Sequence, residues 1–111
     1  MKPPPDIQEF LDKYCSDIVS HDVAKVMTHF SDRYLNLGAK KGEVERSIRQ
    51  FIGLITSLEV GITDLVPAGD KFYLTGFISL NGTKYVLPDT SIIKENGEWK
   101  WFGNQRNPRA P

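Results

Sequence analysis

Apolar side chains recur at helical spacing through the first half of the chain and alternate through the second. Ile7, Phe10, Leu11, Tyr14, Cys15 and Ile18 fall on one face of a helix. Pro3, Pro4 and Pro5 form a stiff leader that cannot join a helix interior. Asp6 suits the N-cap, and Glu9 completes a capping-box pattern. The spacing therefore predicts a first helix from Asp6 to about Ser20-His21. Asp22 opens a second, with Val23, Val26, Met27 and Phe30 as its stripe and Ser31-Asp32 as its end. Residues 34 to 37 read as a short strand, broken by Gly38. A third helix is expected from about Glu43, facing Val44, Ile48, Phe51, Ile52 and Ile55 inward. Glu43 and Glu45 sit at its start, the end of the dipole that favours negative charge.

After Ser57 the period changes to two. Leu58, Val60 and Ile62 alternate with small or polar residues, and Pro67-Ala68-Gly69-Asp70 has turn chemistry. Phe72 to Leu80 is rich in aromatic and β-branched residues. Asn81-Gly82 and Asn96-Gly97 are hairpin signals between apolar runs. They set off two further expected strands, Tyr85 to Ile93 and Trp99 to Phe102. The order is α-α-β-α-β-β-β-β. Three helices packed on a curved, mostly antiparallel sheet give an α+β fold, a cone with an apolar interior.

The 111 residues are expected to form one domain, with residues 1–5 and 106–111 as flexible ends. A chain of this length buries roughly 65% of its unfolded surface, enough for a real core. Fourteen basic and fourteen acidic side chains cancel. The basic footprint that phosphate neutralisation needs is missing, which argues against nucleic acid. No apolar run approaches the length of a membrane helix. The segment "MKPPPDIQEF" lacks the apolar core of a signal peptide. Cys15 is the single cysteine and cannot close an internal disulfide, which fits a reducing, cytoplasmic setting. Asn81-Gly82-Thr83 matches a glycosylation acceptor but reads here as a turn.

Three segments carry a resemblance: "IQEFLDKYCSDIVSHDVAKVMTHFSDRYLNLG", "KKGEVERSIRQFI" and "KYVLPDTSIIKENGEWKWFG". In this order they resemble the NTF2-like superfamily, the cystatin-type α+β cone that includes the SnoaL-like cyclases and ketosteroid isomerase. The resemblance covers residues 6 to 105. It implies the cone, and it leaves function open, because that fold hosts isomerases, cyclases, dehydratases and non-catalytic modules alike.

The isomerase site combines an Asp base with a tyrosine and a protonated Asp. By resemblance the tyrosine falls at Tyr14, either a donor to a ligand carbonyl or a core tyrosine bonding a backbone carbonyl. The base falls at Gly38, which has no proton acceptor. Asn36 shares that strand face and can orient a ligand without acting as a base. The third role falls at Ser91, with Asp89 two residues back on the same expected face. Asp89 is either a carboxyl in an apolar cone, and so a candidate acid, or a cap in a bend at Pro88. Met27, Phe51, Phe77 and Trp101 would supply the apolar wall. His21, His29 and Asp17 are expected to be solvated, and none has partners at metal spacing. No phosphate loop, nucleophile elbow or metal motif occurs, so neither metal nor cofactor is expected.

Trp99 and Trp101 share one face of the last strand, with Phe102 on the other. An apolar strand on both faces is covered on both. By resemblance, the outer cover would be a second copy on the convex sheet face. Two readings follow. One is a pocket for an apolar small molecule, with lyase- or isomerase-like chemistry by analogy. The other is a non-catalytic homodimerising or partner-binding module, favoured by the missing carboxylate at Gly38.

Overall fold

The computed structural model describes residues 2–108. The expected frayed tail therefore lies partly, at residues 109–111, outside the described residues.

Helix α1 spans Pro5–Val19 and buries Ile7, Phe10, Leu11 and Ile18. It starts one residue before the predicted cap. Pro5 occupies the first turn, where a missing N–H costs nothing. Asp6 instead lies inside that turn. Its carboxylate accepts from the Trp99 indole at 2.9 Å and pairs with Lys94 at 3.5 Å. These contacts tie the start of α1 to the end of the sheet.

Helix α2 is only Val23–Met27, capped by Asp22 through the Lys25 N–H. The predicted helix to Phe30 stops early. The Thr28 hydroxyl donates to the Lys25 carbonyl, an alternative to continuing the helix. His29 and Phe30 then run beside the last strand, where the Trp101 N–H donates to the His29 carbonyl at 2.7 Å.

The predicted short strand becomes one arm of a tight hairpin. Strand β1 is Leu35–Asn36 and β2 is Ala39–Lys40. Leu37 and Gly38 turn between them with φ of 50° and 85°. Two left-handed residues are what a two-residue hairpin needs, which accounts for Gly38. Helix α3, Lys41–Phe51, starts two residues before Glu43, whose carboxylate accepts from the Lys40 N–H. A 3₁₀ turn, Ile52–Leu54, follows it.

The main sheet is antiparallel: β3 (Leu58–Ala68), β4 (Lys71–Leu80), β5 (Thr83–Val86), β6 (Thr90–Glu95) and β7 (Glu98–Trp101). The spatial order is β3-β4-β6-β7. The predicted strand from Tyr85 to Ile93 is two strands. β5 pairs with Phe77–Leu80 and β6 with Lys71–Leu74, so they lie beside different halves of β4. Leu87-Pro88-Asp89 crosses between them. Pro88 has no N–H for a ladder, and the Leu87 N–H goes to the Gly76 carbonyl. The turn predicted from Pro67 is likewise shorter, because Pro67 and Ala68 still pair in β3.

A register shift between Ile62 and Asp64 bends the β3–β4 pair. The sheet curves, and α1 packs on its concave side. Ile62, Leu74, Ile92 and Trp101 meet Ile7, Phe10, Leu11, Val26 and Phe30 in one core. The cone expected from the pattern is present, and its far end is not filled.

Candidate functional site

The unfilled end is a cup of about 250 Å³. Tyr14 of α1 and Val44 and Ile48 of α3 form its helical wall. Val60, Ile78, Thr90 and Trp101 form the sheet wall. Phe30, Tyr34 and Asn36 close one side, and the Leu87–Asp89 crossing closes the other. The lining is mainly apolar, as in a ligand pocket with a few placed polar groups.

Tyr14 stands edge-on to Trp101 at 5.3 Å and to Phe30 at 6.1 Å. Burial raises its pKa far above the ordinary value, and the nearby Cys15 and Tyr34 add to the rise. Burial raises the pKa of Tyr34 as well. Both are neutral donors at any physiological pH. Neither hydroxyl has a hydrogen-bond partner among the described residues. The Trp101 indole N–H is buried and has no acceptor among the described residues. Such a donor costs about 1–3 kcal/mol when left unpaired.

Asn36 is held by the chain's last segment. Its Oδ1 accepts from the Asn104 N–H at 2.9 Å. Around it, the Leu35 N–H donates to the Phe102 carbonyl, and the Leu35 carbonyl accepts from Gln105. The Gly38 N–H reaches the Arg106 carbonyl at 2.9 Å. Gly38 is thus a turn residue bound to the tail, and Asn36 is the β1 residue that faces the cup.

Asp89 lines the cup only at its rim. Its carboxylate pairs with the Arg106 guanidinium at 3.0 Å and is about half exposed. It is therefore not the carboxyl enclosed in an apolar cone that one reading expected, nor is it a backbone cap.

Four other expected site residues do not reach the cup. Ser91 is buried on the opposite face of β6, where its hydroxyl donates to the Gly103 carbonyl. Asp89 precedes the strand, so the assumed two-residue alternation between Asp89 and Ser91 does not hold. Phe77 lies on the convex face, one residue from the inward Ile78. Its ring lies over Gly61, with the Lys84 ammonium 4.0 Å from the centroid. Phe51 is 57% exposed where α3 runs into the 3₁₀ turn. Met27 is packed in the core beneath α1 and α2.

The histidines are bonded rather than merely solvated. His29 Nε2 and Asp17 Oδ2 are 2.7 Å apart, with only 14% and 23% of the side chains exposed. The pair bridges α1 and the segment after α2. His21 Nε2–H donates to the Ile55 carbonyl at 2.7 Å. His29 also lines a second groove of about 280 Å³, between α1 and the β6–β7 hairpin. The charges there pair with one another, Lys13 with Glu9 and Lys100 with Glu98. No group of three or more His, Cys, Asp or Glu side chains placed to hold a metal occurs among the described residues.

Sequence reasoning passed over Tyr34 and Arg106. Tyr34 had a signal, since it stands two residues before Asn36 and so shares its face. Arg106 had none, because its role depends on where the tail is bound.

No family model matches the chain, and no curated protein matches it. Solved structures do. An NTF2-like protein of unknown function from Pseudomonas putida superposes with a TM-score of 0.63 at 12% identity, covering 87% of this chain and 80% of that one. A Nostoc punctiforme protein of unknown function, described as having a cystatin-like fold, gives 0.58 at 12% identity, with 99% and 100% covered. A Streptomyces avermitilis protein named as a candidate dehydratase of the NTF2-like family gives 0.58 at 12% identity, with 88% and 89% covered. At such identities the likeness concerns the fold. With the bent antiparallel sheet, the three helices on its concave side and the cup at the end of the cone, it establishes that this chain has the NTF2-like, cystatin-type α+β fold.

Proposed function

We propose that this protein binds a small, largely apolar molecule in the cup. The observation that carries the reading is the cup itself, about 250 Å³ of unfilled space in an apolar wall. Pockets for drug-sized ligands begin near roughly 300 Å³, so the molecule is smaller than those. Binding without proton transfer is the version best supported. A general base must reach the proton it takes. Among the described lining residues the sole carboxylate is Asp89, and it is paired with Arg106 at the rim. Asn36 and Gly38 bring no base. The lyase- or isomerase-like analogy therefore lacks its central group.

Calorimetric titration with 2-acetylnaphthalene tests the reading. The protein should bind it, and Ile48→Trp, which fills the cup from α3, should abolish binding while the protein stays folded. Equal binding to both proteins would place the molecule elsewhere and overturn the proposal.

A second reading, compatible with the first, is a homodimer through the convex sheet face. What favours it is an apolar strip of Val66, Tyr73, Phe77 and Val86, of which Val66 is 48% and Val86 84% exposed. The tryptophans do not contribute as expected. Trp99 packs against Phe72 on the helix side, as Trp101 does against Phe10. Phe102, on the other face, is buried beneath the Arg33 and Lys71 cations of its own chain.

A further inference from the structure

We infer that the molecule in the cup presents a neutral oxygen acceptor, such as a ketone or ester carbonyl, and that Tyr34 and Asn36 read it. This rests on the cup being a binding site.

The cup holds donors that the protein itself does not use. The Asn104 N–H needs an acceptor and takes Asn36 Oδ1. That bond fixes the amide orientation and leaves Asn36 Nδ2, with two hydrogens, free of any partner among the described residues. The Tyr34 hydroxyl is equally unengaged, and the two side chains share one face of the same short segment. Tyr14 lines the same cup, and its ring and that of Tyr34 both stand edge-on to Phe30. With Trp101, whose indole N–H is unpaired, four donor-bearing residues therefore line one apolar space, and none of these donors has an acceptor among the described residues. The Trp101 N–H is fully buried, and buried donors in proteins are almost always paired; the other donors face the open space of the cup, where a ligand can reach them.

The donors are also held in place. The tail from Phe102 to Arg106 is bonded along the edge of β1 that β2 leaves open, and to the Gly38 turn. Asn36 does not have to be ordered when a ligand arrives, so less of the interaction is lost to entropy. An empty cup lets water satisfy these groups. An apolar ligand without an acceptor displaces that water and leaves them unpaired, whereas one with a placed oxygen does not. A site built to hydrogen-bond its ligand discriminates strongly for this reason.

The charge pattern selects a neutral acceptor. No Lys, Arg or His is among the described lining residues, and the phenols stay neutral. The Arg106 cation at the rim is already paired with Asp89. A ligand carboxylate would gain no free cation and would face the Asp89 carboxylate across the mouth.

The test uses three probes of one shape: 2-acetylnaphthalene, its hydrocarbon isostere 2-isopropenylnaphthalene, and 2-naphthoate. Calorimetry at pH 7 should show the ketone binding about tenfold more tightly than either of the others. Asn36→Asp keeps the oxygen that Asn104 needs and removes the donor. Tyr34→Phe removes the other donor without changing shape. Each should weaken the ketone roughly fivefold to tenfold and leave the hydrocarbon unchanged. Equal binding of ketone and hydrocarbon by the unaltered protein would overturn the inference while leaving the cup as an apolar site. So would preference for naphthoate, or variants that weaken both neutral probes alike. If none of the three binds, the binding-site reading itself fails, and this inference with it.

Discussion

Cys15 sits on α1 one position past Tyr14, turned toward β3, and its backbone-facing thiol meets Val60. Burial is the largest influence on it and pushes its pKa from 9.0 to about 11. A thiol whose folded pKa lies above its unfolded value binds its proton more tightly in the native state. Its contribution to stability is full below pH 9.0 and is lost as pH rises toward about 11. The thermal midpoint should therefore fall between these limits, and Cys15→Ala should flatten that fall. The same burial suppresses the thiolate at pH 8, and the thiolate is the nucleophile. Iodoacetamide should leave Cys15 largely unmodified in the native protein and alkylate it rapidly in urea, as read by mass spectrometry. Rapid native alkylation would show that the thiol is not enclosed. Tyr14 carries the same sign at higher pH, where its loss begins above its ordinary value of 10.0.

Glycines at the bend of the sheet decide whether the elements can form a cone at all. Gly76 of β4 lies against Gly61 and Ile62 of β3, at the register shift that bends the pair. A Cβ on Gly76 would collide with the Gly61 carbonyl and the Ile62 Cα, backbone atoms that cannot turn aside. Gly76→Ala should therefore cost roughly 3 kcal/mol or more, measured by urea denaturation, because the strands must separate or the bend must relax. A cost below about 0.5 kcal/mol would mean that the bend is soft. Gly61→Ala also collides, but with the Phe77 ring, a side chain. It should cost less, which makes the pair an internal control.

Neither glycine could be read as a bend from the chain alone. What was legible were the periodic stripes and the turn dipeptides. Ile7, Phe10, Leu11 and Ile18 fell where the stripe put them, and Asn81-Gly82 and Asn96-Gly97 turned as expected, with positive φ at all four. Facing was less legible. Ile78 rather than Phe77, and Thr90 rather than Ser91, look into the cup. A one-residue shift in strand register exchanges the faces, and an apolar run without strict alternation gives no warning of it. The rim was least legible, since Asp89 and Arg106 are 17 residues apart, and their meeting depends on the crossing at Pro88 and the anchored tail.

For the molecule as a whole, the two faces of the sheet pose different demands. The concave face is taken up by α1, the core and the cup. On the convex face Phe77 stands opposite Val86, and Val66 opposite Tyr73, across neighbouring strands. Monomers rarely present apolar patches beyond a few hundred Å². A stable pair of chains buries about 800 Å² on each partner. A second copy on this face would meet that need, with Lys84 over Phe77 and Glu59 nearby available for the polar rim. Sedimentation velocity at tens of micromolar should give a dimer. Replacing Val66 and Val86 together by Lys should give a monomer with a nearly unchanged thermal midpoint at low protein concentration, because in the single chain Val86 is mostly and Val66 about half solvated. A monomeric parent protein would refute the interface and leave the strip as ordinary surface. The cup lies on the opposite side of the sheet, so the monomeric variant should bind 2-acetylnaphthalene as the parent does. Loss of binding in it would mean that a second copy is needed to hold the cup in shape.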